Sequence, residues 1–156
     1  MSDRVFNLRD VALEPLDDAP EGRRMRLRSF GDALGSKRTG MTVYELDPGE
    51  ASWPYHFEIG EEEWLFVIDG ELVLRTPDGE RTLRAGDVAC FPAGAAGAHA
   101  VRNGSDGIVR YAMPSGRTDF GYATGYPDSG KFQISAEGFH HRGRLGDAVG
   151  YWEGEP

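Results

Sequence analysis

The sequence predicts an all-β fold, and three observations carry that expectation. Its 156 residues include 22 glycines and 9 prolines, and these interrupt short apolar runs at intervals of roughly ten residues. Several runs are rich in β-branched and aromatic residues, and none has the length or periodicity of a long helix. Many short strands joined by Gly-rich turns pack as a β-sandwich or a barrel.

Candidate strands cover residues 24–30, 42–46, 63–68, 71–75, 87–91, 99–102 and 108–113. The chemistry between them is that of turns: Asp47-Pro48-Gly49, Asp69-Gly70, Pro77-Asp78-Gly79, Ala85-Gly86-Asp87 and Asn103-Gly104. Asp69-Gly70, between WLFVI and ELVLR, reads as the clearest hairpin. Along residues 63–68, Glu63, Leu65 and Val67 share one face while Trp64, Phe66 and Ile68 share the other. A strand apolar on both faces is covered twice, so a homodimer that uses one face of this sheet is expected.

The length suits one domain with a hydrophobic core. Residues 1–39 read as N-terminal strands and an arm, and 40–113 as the core. Residues 114–156 read as an irregular extension laid over that core, because the chain after Met113 is Gly-rich and weakly periodic. Its aromatics, Phe120, Tyr122, Tyr126, Phe132, Phe139, Tyr151 and Trp152, are too numerous for a disordered tail. No internal repeat is visible.

With 17 basic and 26 acidic residues the net charge is -9, which disfavours nucleic acid and anionic membrane surfaces as partners. A single cysteine, Cys90, cannot form an internal disulfide and falls within a predicted strand, where a small buried side chain is expected. No window approaches the roughly 18 apolar residues of a membrane span, and the amino terminus lacks an apolar signal core. A cytoplasmic location is the expectation.

The concentrated chemistry lies at His56, Glu58, Glu63 and His99. In an extended segment His56 and Glu58 point the same way, Glu63 returns after the Ile59-Gly60 bend, and His99 comes from another strand. Glu58, Glu61, Glu62 and Glu63 set four carboxylates within six residues. Glu61 and Glu62 read as solvated, whereas any that face inward require a proton or a cation. Two imidazoles and two carboxylates would neutralise a divalent metal.

These residues sit in a specific framework. Pro48-Gly49, His56-x-Glu58, Glu63 and Gly70 resemble the first motif of the cupin superfamily; Gly86-x5-Pro92-x-Gly94, His99 and Asn103 resemble the second. The match spans roughly residues 40–113, and the chain looks like a group of small single-domain cupins with no assigned reaction. The resemblance implies a double-stranded β-helix, the cupin jelly-roll barrel, with a metal held at its centre by His56, Glu58, Glu63 and His99. Three departures stand out. Six residues rather than five separate Gly49 from His56, four rather than two separate Gly94 from His99, and Glu58 replaces the second histidine. The substitution hardens the site towards zinc, iron or manganese. If Glu58 turns away, His56, Glu63 and His99 form a two-His-one-carboxylate set and Glu58 is free as a general base.

Two other signals carry less. Gly125 to Lys131 nearly spells a phosphate-binding loop, but Phe132 stands where a Ser or Thr belongs and no helix follows, so a tight turn is expected. His140-His141 reads as a solvated segment. The resemblance thus implies a metal-dependent enzyme with one divalent cation per chain, acting on a small oxygen-bearing molecule by oxygenase, isomerase or lyase chemistry. The alternative is a non-catalytic module that binds or senses a sugar or organic acid, with or without metal. No segment has the length for an accompanying helix-turn-helix.

Overall fold

The computed structural model describes residues 5–116 and 121–155. In chain order the strands are β1 (Glu14–Pro15), β2 (Arg26–Ser29), β3 (Thr39–Leu46), β4 (Phe57–Ile59), β5 (Glu63–Asp69), β6 (Glu71–Thr76) and β7 (Gly79–Arg84), followed by β8 (Val88–Phe91), β9 (Ala100–Arg102), β10 (Val109–Gly116), β11 (Tyr122–Tyr126), β12 (Lys131–Ala136) and β13 (Phe139–Arg144). One short helical turn, Gly31–Leu34, precedes β3. The fold is all-β, as expected.

The strands form a six-stranded sheet ordered β1-β2-β3-β10-β5-β8, a three-stranded sheet β7-β6-β9 and a four-stranded sheet β13-β12-β11-β4. An isolated antiparallel bridge between His56 and His99 ties the start of β4 to the start of β9, so the two smaller sheets run on from one another. They face the six-stranded sheet as a jelly-roll sandwich rather than closing into one continuously bonded barrel. Leu65 and Val67 of β5, Leu72 and Leu74 of β6, Val101 of β9 and Tyr111 of β10 meet in the buried core between the layers. On the outer side of the six-stranded sheet, Phe6, Leu8 and Val11 of the N-terminal arm pack against Phe30, Val43 and Ala112.

Three expectations change. Asp69-Gly70 does not make a hairpin, because β5 pairs with β10 and β8 while β6 pairs with β7 and β9. Only Gly70 has positive φ there, and a Cβ on it would press on the Ile108 carbonyl. The dipeptide is a corner at which the chain changes sheets. Most of the described residues after Met113 are not irregular: β10 runs through the expected boundary to Gly116, β11, β12 and β13 follow as an antiparallel meander, and residues 145–155 form no strand. Phe120 lies outside the described residues. Their inward positions, Thr124 and Gln133, are polar while Ile134 and Phe139 face out. The apolar alternation that reveals a strand is therefore missing.

The two faces of β5 meet different surroundings. Its Leu65 and Val67 face the core and Ile68 meets the N-terminal arm, but Trp64 and Phe66 remain 42% and 43% exposed in a single chain. The third change is Cys90, which is exposed rather than buried. It lies opposite Trp64 on β8, at the edge of the sheet, so it shares the outward face.

Candidate metal centre

The backbone brings the two histidines together. His56 N–H donates to the His99 carbonyl at 3.1 Å, and His99 N–H donates to the His56 carbonyl at 2.8 Å. Residues paired in this way present their side chains on one face of the sheet. The neighbouring bridge joins Ala51 to Arg102, so Ser52 to Tyr55 oppose only Ala100 and Val101. This bulge of two extra residues lies within the lengthened segment between Gly49 and His56. The longer loop before His99 closes into a 3₁₀ turn, Ala95–Gly97, where a Cβ on Gly97 would collide with the Pro92 carbonyl. Gly94 N–H donates to the Glu58 carbonyl at 2.7 Å, so the second motif grips the strand of the first.

Both imidazoles have a fixed tautomer. His56 Nδ1 lies 2.7 Å from the Pro54 carbonyl and His99 Nδ1 lies 3.0 Å from the Gly97 carbonyl. A carbonyl only accepts, so each Nδ1 carries the proton and each neutral ring turns a lone pair outward from Nε2. Those lone pairs meet a carboxylate: Glu63 Oε2 is 3.4 Å from His99 Nε2 and 3.8 Å from His56 Nε2. Glu63 Oε2 and His99 Nε2 are buried without a hydrogen-bond partner among the described residues. Acceptors facing acceptors in a buried space demand a proton or a cation. A donor set of two imidazole nitrogens and one carboxylate oxygen, all within 4.8 Å of one another, fits a divalent metal, and the two carbonyls would orient the rings as its outer partners.

Burial sets the protonation states. It depresses His56 below the usual imidazole range and lowers His99 to about 4, with His56 adding to the latter. The Phe91 ring stacks on His99 at 3.8 Å and helps exclude water. Burial also raises Glu63 to about 7, helped by the Glu58 and Glu61 charges. Glu58 is likewise raised to about 7 by burial, against a hydrogen bond from Thr124 that lowers it.

Of the four residues expected at the metal, His56, Glu63 and His99 converge and Glu58 stands beside them. Glu58 Oε1 is 3.8 Å from His56 Nε2, while Thr124 Oγ1 lies 3.1 and 2.9 Å from its two oxygens. Thr124 is the cross-strand partner of Glu58, Gln133 is the partner of Thr124, and Arg142 is the partner of Gln133. A polar row thus crosses four strands. It lines a cavity of about 360 Å³ together with Trp53, Pro54, His56, Tyr122 and Tyr126. Of the aromatics next to His56 in the chain, Phe57 lies over Gly125 and Tyr55 lies under Arg75. Thr124, Gln133 and Arg142 have no motif to announce them, and only their common face on three strands singles them out.

Residues 42–113 match the family model of the cupin domain. Among solved structures, the chain is similar to a proposed sugar phosphate isomerase from Acidithiobacillus ferrooxidans, at 23% identity over 94% of this chain and 96% of that one, with a TM-score of 0.83. It is also similar to a sugar phosphate isomerase of the cupin superfamily from Silicibacter pomeroyi, at 26% identity over 83% and 82% of the two chains, with a TM-score of 0.74. A proposed oxalate decarboxylase from Thermotoga maritima shares the fold at 18% identity over 73% and 99%, with a TM-score of 0.61. No curated protein matches the chain. Residues 42–113 are thus a cupin domain, and the solved structures share the fold of the chain. None of the described helices is long and apolar enough to cross a membrane.

Proposed function

We propose that this cupin is a metal-dependent isomerase of a small hydroxycarbonyl compound, with one divalent cation per chain, zinc, iron or manganese, held by His56, Glu63 and His99. The observation that carries the reading is the pair of buried acceptors, Glu63 Oε2 and His99 Nε2, aimed at each other at 3.4 Å. When bound, the cation would polarise a carbonyl as a Lewis acid. Glu58 is the proton-transfer group in this reading. Its carboxyl near 7 is matched to taking and returning a proton at neutral pH.

In the reaction Glu58 removes the proton from the hydroxyl-bearing carbon next to the carbonyl and returns it to the former carbonyl carbon. The hydroxyl proton passes to the former carbonyl oxygen, so the atoms balance and no external oxidant or reductant is needed. Thr124 holds the Glu58 carboxylate against the cavity. Isomerase chemistry is favoured over the oxygenase and lyase alternatives by the free proton-transfer carboxylate and by the description of the Silicibacter pomeroyi structure.

The exposed apolar patch of Trp64, Phe66 and Val88 supports a homodimer built on the outer face of the six-stranded sheet. Light scattering on the eluting protein should give twice the chain mass, and Phe66→Glu should give the single-chain mass. A monomer at micromolar concentration in the native protein would remove the dimer.

Elemental analysis of untagged protein tests the metal, and about one divalent cation per chain is expected. Incubation in D₂O with three- to six-carbon hydroxycarbonyl compounds tests the chemistry, because NMR then reads deuterium entering beside the carbonyl. Glu58→Gln should abolish that exchange while keeping the metal. Native protein free of metal, or full exchange in Glu58→Gln, overturns the reading.

A further inference from the structure

The polar row ends in a cation. Arg142 is the only permanently cationic side chain on the cavity lining among the described residues. Its Nε donates to Gln133 Oε1 at 2.6 Å, and Gln133 Nε2 donates in turn to the Tyr122 hydroxyl at 3.0 Å. Arg142 is itself exposed, but Gln133 is buried, so a fixed amide orients the guanidinium. No hydrogen bond or ion pair among the described residues engages the terminal nitrogens of Arg142. A guanidinium presents five N–H donors in a planar fork, and here most are left for a ligand.

The opposite end of the row is Glu58. Three interstrand steps separate Glu58 from Arg142, which puts their backbones roughly 14 Å apart at about 4.8 Å per step. Both side chains line the one cavity between them, a span that suits a small metabolite. A volume of about 360 Å³ lies near the lower end of the usual range for small-molecule pockets. The reacting end carries carboxylates, so it does not attract an anionic tail; Arg142 does.

We infer that Arg142 anchors an anionic group of the ligand, so that the cavity takes a small hydroxylated compound ending in a phosphate or a carboxylate, with that end on the C-terminal sheet. The inference rests on the reading of the His56–Glu58 end as the reacting end. Planar, forked donors suit both oxyanions, so the two sources share one recognition chemistry. Gln133 is the positioning residue that sets the guanidinium in place.

The test uses one carbon scaffold with three ends: glycerol 3-phosphate, glycerate and glycerol. Binding of each is measured by calorimetry to the full chain, once zinc-loaded and once after chelation, for the native protein, Arg142→Gln and Arg142→Lys. Metal content and thermal melting are recorded for every sample. At least one anion should bind roughly tenfold or more tighter than glycerol, with or without metal, and Arg142→Gln should remove that margin. Arg142→Lys should restore part of it, and the tighter of the two anions identifies the phosphate or the carboxylate. Anions that bind no tighter than glycerol to chelated native protein, or that bind folded Arg142→Gln as tightly as native, overturn the inference. Failure of the metal reading looks different: native protein takes up no zinc, yet the Arg142-dependent margin persists.

Discussion

His56 and His99 are hydrogen-bonded to each other through their backbones, at 3.1 and 2.8 Å, before their side chains do anything. The imidazoles are therefore placed by the sheet and not by the metal. Removing either ring should empty the site without unfolding the chain. His56→Ala and His99→Ala are each expected to lose at least tenfold in zinc affinity, measured by competition with a chromophoric chelator. Unchanged affinity in both would discard the ligand set.

Metal affinity should depend on pH, with a sign set by the carboxylates. Glu63 is raised to about 7 while His99 is lowered to about 4, so below neutrality the competing proton sits on the carboxyl. Affinity is expected to rise with pH up to about 7 and level off above it. Between pH 5 and pH 6.5 the slope counts protons, about one per metal if Glu63 alone ligates and approaching two if Glu58 also binds. The proposed role of Glu58 requires a slope near one.

Thr124→Val removes the hydrogen bond that lowers the Glu58 carboxyl. Its loss should raise the Glu58 pKa by up to about one unit, given roughly 1 kcal/mol for such a bond. The base must be ionised to accept a proton, so the ascending limb of the kcat/KM profile is expected to move to higher pH. An unmoved limb with a lower plateau would give Thr124 a different role.

A bound cation should also stabilise the fold. At a free concentration 100 times its Kd, the gain is about 2.7 kcal/mol, or roughly 5–10 °C in melting temperature for a chain of this size. Chelation should reverse it, and His99→Ala should show no such gain. Equal melting of native protein with and without zinc would contradict binding to the folded state.

Gly125 faces Phe57 across β11 and β4, and a Cβ there would overlap the Phe57 ring. Gly125→Ala is expected to destabilise by about 1–3 kcal/mol through overpacking. It should also weaken metal binding, because Phe57 lies next to His56. Denaturant unfolding and zinc competition on one preparation read both effects.

The legible part of the molecule was the part whose inward side chains are apolar. Leu65 and Val67 announced β5, and the Gly and Pro framework singled out His56, Glu63 and His99, which the fold brings together from facing sheets. Two kinds of feature were hidden. Asp69-Gly70 has hairpin chemistry, but local turn preference does not report which sheet the chain enters next. The C-terminal strands turn Thr124 and Gln133 inward because their neighbour is a cavity, so a search for apolar alternation passes over them. Glu58 was legible as a residue and ambiguous as a role, and the register that sets Thr124 against it becomes visible only after the strands are paired.

The single bridge from His56 to His99 also orders events in time. Segments more than 40 residues apart in the chain must be in register before the two imidazoles face one another, so an unfolded or half-folded chain offers a cation only scattered donors. Assembly of the sheets and creation of the site are one event, and loading follows it. A cation would thus meet a finished cage.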